Sequence, residues 1–179
     1  MIKFLNVLSS SLDEQLEIRK WRNEEEVRKY MYTSNVISEK EHLKWINLLK
    51  ESNDIKVYYI IFENNKIGIA SISKIDKTNK ICDWAFYFNN NIKKGIGIGK
   101  IVEKEFVSYI FNNFDIEKLN CEVLSNNLKV VEMHKKFGFT LEGILRKNIL
   151  KNNERLDIYK LGLLKEEWSN RYEKNKNNS

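Results

Sequence analysis

Three glycines stand at every second position of one short segment, which reads Lys94-Gly95-Ile96-Gly97-Ile98-Gly99-Lys100. They are three of only seven glycines in a chain without proline, so backbone freedom is concentrated here. Glycine lets backbone N–H groups approach a ligand closely, and the first turn of a following helix adds unpaired donors and the positive end of its dipole. The segment therefore predicts a phosphate site, and a pyrophosphate would fit it.

The spacing of these glycines excludes two common phosphate-binding motifs. A Walker loop needs Lys-Ser or Lys-Thr after its last glycine, whereas Lys100 is followed by Ile101. The dinucleotide pattern Gly-x-Gly-x-x-Gly is also incomplete. We therefore expect a different class of phosphate binder.

Strand and helix patterns alternate around this segment. Runs rich in β-branched and aromatic residues predict strands, at Met1–Val7, Val57–Phe62, Ile67–Ile75, Ile81–Phe88, Leu119–Leu124, Thr140–Leu150 and Arg155–Leu163. Apolar residues at helical spacing predict helices, at Leu12–Val27, Ser38–Ser52, Gly99–Phe111 and Asn127–Phe137. We expect an α/β fold with one mixed, mainly antiparallel sheet flanked by helices. Residues 1–168 form one domain in this prediction, and the polar residues 169–179 form a flexible tail.

Composition excludes several classes of protein. The first residues are strand-like, and no apolar run approaches the ~20 residues that span a bilayer, so we expect a cytoplasmic protein without a membrane partner. Cys82 and Cys121 lie in apolar strands, where free thiols are expected, and the two histidines, His42 and His134, form no metal-binding spacing. The net charge of +6 is dispersed among acidic residues, so no nucleic-acid partner is predicted.

The element order and the glycine segment together resemble the GCN5-related N-acetyltransferases, the GNAT superfamily. Its acetyl-CoA loop has the form Arg/Gln-x-x-Gly-x-Gly/Ala, and here Lys94 stands at the first position with Gly97 and Gly99 at the others. A second motif, Asn-x-x-Ala-x-x-x-Tyr-x-x-x-Gly-Phe, is matched at Asn127, Val130, His134, Gly138 and Phe139, with His134 in place of tyrosine. The resemblance implies an acetyl-CoA-dependent N-acetyltransferase.

The resemblance also implies where acetyl-CoA binds. The strand Asp83–Phe88 would splay from Leu119–Leu124, with the pantetheine arm between them. The residues assigned to the cofactor are Phe86, Tyr87, Phe88, Lys94, Gly95, Ile96, Gly97, Ile98, Gly99, Lys100, Asn127 and His134.

Direct attack by a neutral amine, without a covalent enzyme intermediate, is the mechanism implied. His134 would give a proton to the leaving thiolate, since it stands at the position of the family's tyrosine; the alternative is a histidine that only packs beside the cofactor. Glu122 would accept the amine's proton through water, Asp83 is a second candidate, and the amine could also arrive already deprotonated.

Similarities to two subgroups of the superfamily indicate the acceptor. Phe139–Arg146, together with the closing Glu166-Glu167-Trp168, is similar to the RimJ/RimL-type group, while the N-terminal third is similar to the PseH-type acetyltransferases of pseudaminic acid biosynthesis. Those enzymes acetylate a UDP-linked 4-amino-4,6-dideoxy sugar, and the resemblance covers residues 3 to 168. The residues assigned to the acceptor are Trp21, Arg22, Asn23, Met31, His42 and Trp45. Arg22 would pair with the diphosphate and a tryptophan would stack on a ring, although both tryptophans could equally be core residues.

Other functions remain open from sequence alone. The acceptor could be a protein N-terminus, as in RimJ/RimL relatives, or a polyamine or other small amine. The domain could also be a non-catalytic module that binds coenzyme A or RNA. An acidic acceptor groove would favour a cationic substrate, and a basic groove would favour a nucleotide sugar. Small acetyltransferases of this type often pair, so a homodimer is also expected.

Overall fold

The computed structural model describes residues 1–90, 92 and 97–172. The strands are β1 (Ile2–Asn6), β2 (Lys56–Phe62), β3 (Asn65–Asp76), β4 (Ile81–Phe88), β5 (Lys118–Leu124), β6 (Thr140–Lys151) and β7 (Glu154–Leu164). The helices are α1 (Leu12–Asn23), α2 (Glu25–Arg28), α3 (Glu39–Glu51), α4 (Ile98–Asn113), α5 (Leu128–Phe137) and α6 (Lys165–Tyr172).

The described residues form one seven-stranded sheet in the order β1-β2-β3-β4-β5-β7-β6. Every neighbouring pair is antiparallel except β4 and β5, which are parallel. These two strands pair only at Ile81–Lys118, Cys82–Leu119 and Asp83–Asn120, although both continue further. On its other side β5 pairs with β7 from Lys118 to Leu124. The predicted mixed, mainly antiparallel α/β fold is confirmed, and the predicted splay follows the third pair.

Helices cover both faces of the sheet because strand residues alternate in direction. On one face α4 buries Val102, Phe106, Val107 and Ile110 completely. On the other face Ile18 of α1 and Leu49 of α3 pack with the fully buried Tyr59 of β2. Capping boxes at Ser11–Glu14 and Ser38–Glu41 begin α1 and α3. The helix α4 and the pair α1 and α3 thus cover opposite faces of the sheet, which correspond to the predicted cofactor side and the predicted acceptor side.

The chain end differs from the prediction. The tail was expected to begin at residue 169, but α6 continues to Tyr172. Trp168 is fully buried, and the Tyr172 ring lies 4.1 Å from it, so the last turn is held by packing. Polar composition hid this turn from the sequence pattern. The β2–β3 turn lies at Glu63 and Asn64, with φ of 49° and 64°.

The structure also describes the two cysteines and the lengths of the apolar helices. Cys82 and Cys121 are free and buried, and burial raises the pKa of the Cys82 thiol to about 12. No helix among the described residues is both long and apolar enough to cross a membrane.

Gly97 precedes α4 with φ of 73°, a left-handed conformation in which an added Cβ would meet no atom. Gly143 is equally open around its Cβ but carries no left-handed φ. We predict that Gly97→Ala lowers the free energy of unfolding by about 1–2 kcal/mol, the cost of a left-handed alanine. Thermal or urea unfolding measures this, with Gly143→Ala as the matched control. Equal effects of the two substitutions would contradict it.

Candidate active site

The start of α4 offers backbone donors to an anion. Among the described residues no side chain caps this helix end, and its first turn contains no acidic residue. The N–H groups there are therefore open to a ligand, and the helix dipole favours a negative one. Lys100 is exposed, whereas the Ile98 side chain is buried in the core, so Ile98 can contribute only its backbone. Lys94, Gly95 and Ile96 lie outside the described residues, so their assignment stays a prediction.

Aromatic rings line the α4 side of the parted strands. Trp84 stacks on Phe86 at 5.8 Å, and Phe86 meets Phe88 at 5.5 Å. A Cβ built on Gly99 would lie 3.8 Å from both Phe88 and the sulfur of Met133 in α5, so β4, α4 and α5 converge at this point. Apolar walls, open helix donors and parted strand edges suit a long cofactor with a pyrophosphate.

Two assigned cofactor contacts need separate description. Tyr87 projects to the other face and packs against the α1–α3 core, so its ring lies on the acceptor side. Asn127 precedes α5, and its side chain makes no capping bond there. Asn127 therefore keeps a polar side chain available for the predicted contact.

Glu122 occupies the acceptor face of β5, two residues beyond the last pair with β4. Its carboxylate accepts a hydrogen bond from the Tyr32 hydroxyl and lies 3.3 Å from Lys160 Nζ. Burial disfavours ionisation of Glu122, but the bonds from Tyr32 and Lys160 outweigh it and lower the pKa of this carboxyl. Glu122 is thus ionised near neutral pH and able to accept a proton. Tyr32 was not found from the sequence, since it lies in a polar segment without periodicity.

Asp83, the second candidate base, lies on the same face as Glu122. Its carboxylate forms an ion pair of 2.6 Å with Lys74. Burial raises the pKa of Tyr32, and the negative charges of Glu122 and Asp83 raise it further. The three groups therefore form one cluster at the point where the strands part.

His134 lies on the opposite face, where it is 5% exposed. Its Nδ1 is 2.6 Å from Oε1 of Glu103, which is fully buried in α4. The imidazole also meets the ring of Trp84 at 5.3 Å, at the first position beyond the paired part of β4. The two predicted catalytic residues, His134 and Glu122, are therefore not in contact; they flank the parted strands from opposite faces.

Glu103 was missed because the apolar pattern of its helix dominates. Val102, Phe106 and Val107 around it are all buried. The available signal was an acidic residue three and four positions before Phe106 and Val107, which places it in the buried stripe. A carboxylate there needs a partner, and His134 is that partner.

Three residues assigned to the acceptor have packing partners instead. Trp21 is 5% exposed and lies against Tyr59 at 6.1 Å. Asn23 exchanges two hydrogen bonds with the backbone of Ile37. His42 is 4% exposed and its Nε2 lies 2.7 Å from the backbone oxygen of Gln15, while its ring meets Trp45 at 5.1 Å. These three side chains are therefore engaged in contacts within the protein.

Arg22 and Met31 remain next to the acceptor face. Nη1 of Arg22 is buried and has no hydrogen-bond partner among the described residues. Burial lowers the pKa of Arg22, the neighbouring Tyr87 raises it, and Arg28 lowers it. Met31 is partly buried, and its backbone oxygen accepts a hydrogen bond from Lys151 at 2.7 Å.

Lys151 joins the last hairpin to the acceptor segment. Its Nζ donates to the backbone oxygens of Arg28, Lys29 and Met31 at 2.7 to 2.8 Å. Burial lowers the pKa of Lys151, and the positive charges of Arg22 and Arg28 lower it further. Arg22, Arg28 and Lys151 therefore form a basic cluster. Sequence spacing gave no sign of it, since Lys151 lies about 120 residues from its partners.

Comparisons with known proteins agree with this geometry. Residues 13–159 match the family model described as an acetyltransferase (GNAT) domain. The chain is 30% identical over 141 residues to acetyltransferase PseH of Campylobacter jejuni, covering 79% of this chain and 86% of that protein.

Solved structures show the same fold. Spermidine N-acetyltransferase of Vibrio cholerae, in complex with CoA and spermine, superposes with a TM-score of 0.84 at 17% identity, covering 93% of this chain and 97% of that one. Campylobacter jejuni PseH in complex with acetyl coenzyme A superposes with a TM-score of 0.68 at 22% identity, covering 92% and 99%. With its parted strands, glycine-led helix and matching family model, the chain belongs to the GNAT family of acetyl-CoA-dependent N-acetyltransferases.

Proposed function

We propose that this enzyme transfers the acetyl group of acetyl-CoA to the 4-amino group of a UDP-linked 4-amino-4,6-dideoxy sugar, as in pseudaminic acid biosynthesis. The observation that carries the proposal is the basic cluster of Arg22, Arg28 and Lys151 on the acceptor face. The 30% identity to PseH supports the same acceptor class.

A bound anionic substrate would offset the repulsion within the basic cluster. Like charges close together in a partly buried site raise the free energy of the folded protein unless an opposite charge approaches. Lys151 directs its three donors to backbone oxygens, whereas Nη1 of Arg22 and Nε of Arg28 are buried and have no hydrogen-bond partner among the described residues. Arg28 already donates from Nη1 to the backbone oxygen of Ser34 at 2.7 Å, so Arg22 is the guanidinium that the protein engages less. A guanidinium matches the geometry of phosphate oxygens, which makes Arg22 the residue for the diphosphate.

The position of the cluster also fits the reaction. The segment runs from Arg28 in the cluster to Tyr32 at Glu122. Four residues span at most about 14 Å, so an acceptor could place its diphosphate at one end and its amine at the other. Exposed Tyr30 and partly buried Met31 lie between these ends.

A polyamine acceptor is less compatible with this surface. The TM-score is higher for the Vibrio enzyme than for PseH, but at 17% identity this similarity supports the fold and not a polyamine acceptor. Residues 19–32 carry five basic and three acidic side chains, and the basic ones include the partly buried Arg22 and Arg28. A polycation placed against them would be repelled.

In this proposal each face of the sheet handles one proton. Glu122 accepts the proton that the amine loses on attack, through Tyr32 or a water, because Tyr32 already bonds the carboxylate. His134 supplies a proton to the sulfur that leaves on the other face. The α4 donors and the parted strand edges hold acetyl-CoA, whose thioester is the activated acetyl group.

A panel of acceptors tests the function directly. We expect release of free thiol from acetyl-CoA with a UDP-4-amino-4,6-dideoxy sugar, and background rates with spermidine, spermine and N-terminal peptides. Turnover of a polyamine or a peptide in preference to the sugar would refute the proposal.

Arg22→Gln should weaken binding of the acceptor sugar without affecting binding of acetyl-CoA. A hydrogen bond to a charged group contributes about 1.5–3 kcal/mol, so we expect the KM of the UDP-sugar to rise about 10- to 100-fold. The KM of acetyl-CoA should stay unchanged. Lys20→Gln removes the same charge from an exposed position of α1 and serves as the control. Equal KM changes in both variants would exclude a direct contact.

Tyr32→Phe should shift the pH dependence of kcat/KM toward higher pH. The Tyr32 hydroxyl stabilises the ionised form of Glu122, so its removal raises the pKa of that carboxyl. A base with a raised pKa becomes protonated at higher pH, so the acidic limb of kcat/KM shifts to higher pH. Tyr30→Phe, in the same segment and exposed, is the control. An unmoved limb in Tyr32→Phe would assign the base to another group.

A further inference from the structure

The carboxylate of Glu103 is the most deeply buried charged group near the active site. It is fully buried in α4, one oxygen lies 2.6 Å from His134 Nδ1, and the other has no hydrogen-bond partner among the described residues. Such a group is costly to bury, and its retention calls for an explanation beyond packing. Within the part of the chain that the structure describes, its one hydrogen-bond partner is the imidazole that our mechanism uses as the acid.

The contact fixes the orientation of that imidazole. An ionised carboxylate only accepts hydrogen bonds, so a neutral His134 facing Glu103 carries its proton on Nδ1. Trp84 and Phe139 hold the ring at 5.3 and 5.4 Å from their centroids, so it cannot turn freely. Nε2 is then the only nitrogen left to exchange a proton with a reacting group.

We infer that Glu103 is a positioning residue that keeps Nδ1 of His134 protonated and so makes Nε2 the proton donor to the leaving sulfur. This inference deepens the proposed function and rests on its assignment of His134 as the acid.

The proton balance is simple. The bond from the amine nitrogen to the acetyl carbon forms, and the bond from that carbon to sulfur breaks, with its electron pair going to sulfur. Nε2 transfers its proton to sulfur, giving the free thiol. His134 becomes neutral with Nδ1–H still bonded to the Glu103 carboxylate, and a proton from solvent reloads Nε2. The proton lost by the amine leaves on the acceptor face.

The histidine content of the chain gives this inference a clean spectroscopic test. His42 and His134 are the only two histidines. Nε2 of His42 faces the backbone oxygen of Gln15, which only accepts, so neutral His42 carries its proton on Nε2. The two rings should therefore be opposite tautomers.

The experiment is ¹⁵N NMR of the histidine rings in the free protein, at a pH where both are neutral. We expect His134 protonated on Nδ1 and His42 on Nε2. Glu103→Gln should mix or reverse the tautomer of His134 and leave His42 unchanged, which also reports that the fold is intact. The control is Glu105→Gln, an exposed acid of the same helix. Wild-type His134 protonated on Nε2 would overturn the inference even if Glu103→Gln did not fold.

Kinetics with any acceptor that turns over give the second readout. Removing a group that orients a functional histidine costs on the order of 10- to 100-fold, so we expect that fall in kcat for Glu103→Gln with the KM of acetyl-CoA unchanged. In a His134→Ala background the same substitution should have no further effect, because Glu103 acts through His134. Independent, multiplicative losses would refute the positioning role.

These readouts separate the two proposals. The tautomers do not depend on the acceptor, so failure of the UDP-sugar in the panel leaves the NMR result intact. Conversely, if His134 is protonated on Nε2 and the enzyme still acetylates the UDP-sugar, the positioning role of Glu103 is refuted and the proposed function stands.

Discussion

The parting of β4 and β5 after three paired residues is the constraint on which the active site depends. Two parallel strands that both continue would ordinarily stay paired, because unpaired backbone groups carry a cost. Here β5 is held by full pairing with β7, and β4 by its pairing with β3, so each strand belongs to its own arm of the sheet. The gap is therefore built into the architecture, and a cofactor rich in amides can complete the hydrogen bonds of its edges.

The same parting divides the chemistry between two faces. Strand alternation directs Glu122 toward Tyr32 and Lys160, while His134 approaches from α5 on the opposite side. If the proposed acid, His134, and the proposed base, Glu122, shared one face, they could form an ion pair that changes the pKa of both groups. The sheet keeps them apart and gives each its own partner, Lys160 and Tyr32 for the carboxylate and Glu103 for the imidazole.

The sequence predicted the strands and helices around this site better than the side-chain contacts within it. Strand periodicity and the glycine segment located all seven described strands and the α4 helix, because alternation and helical spacing are local signals. The motifs also brought Glu122 and His134 to the parted strands. The resemblance assigned Trp21 and His42 to the acceptor site because they lie in the helical region that covers it in the family, and the structure packs both in the interior. Glu103 was missed because the apolar pattern of its helix dominates, and Tyr32 because its segment has no periodicity. Lys151 was missed because its partners lie about 120 residues away, a distance that no local pattern encodes.

Lys151 has a consequence for the order in which the enzyme is made. The segment from Arg28 to Met31 emerges early in synthesis, yet the ammonium that bonds its carbonyls belongs to the penultimate strand. A nascent chain that ends before β6 lacks this cation, and β5 then also lacks its neighbour β7. The carbonyls of Arg28, Lys29 and Met31 consequently gain this common partner only after most of the polypeptide has been synthesised.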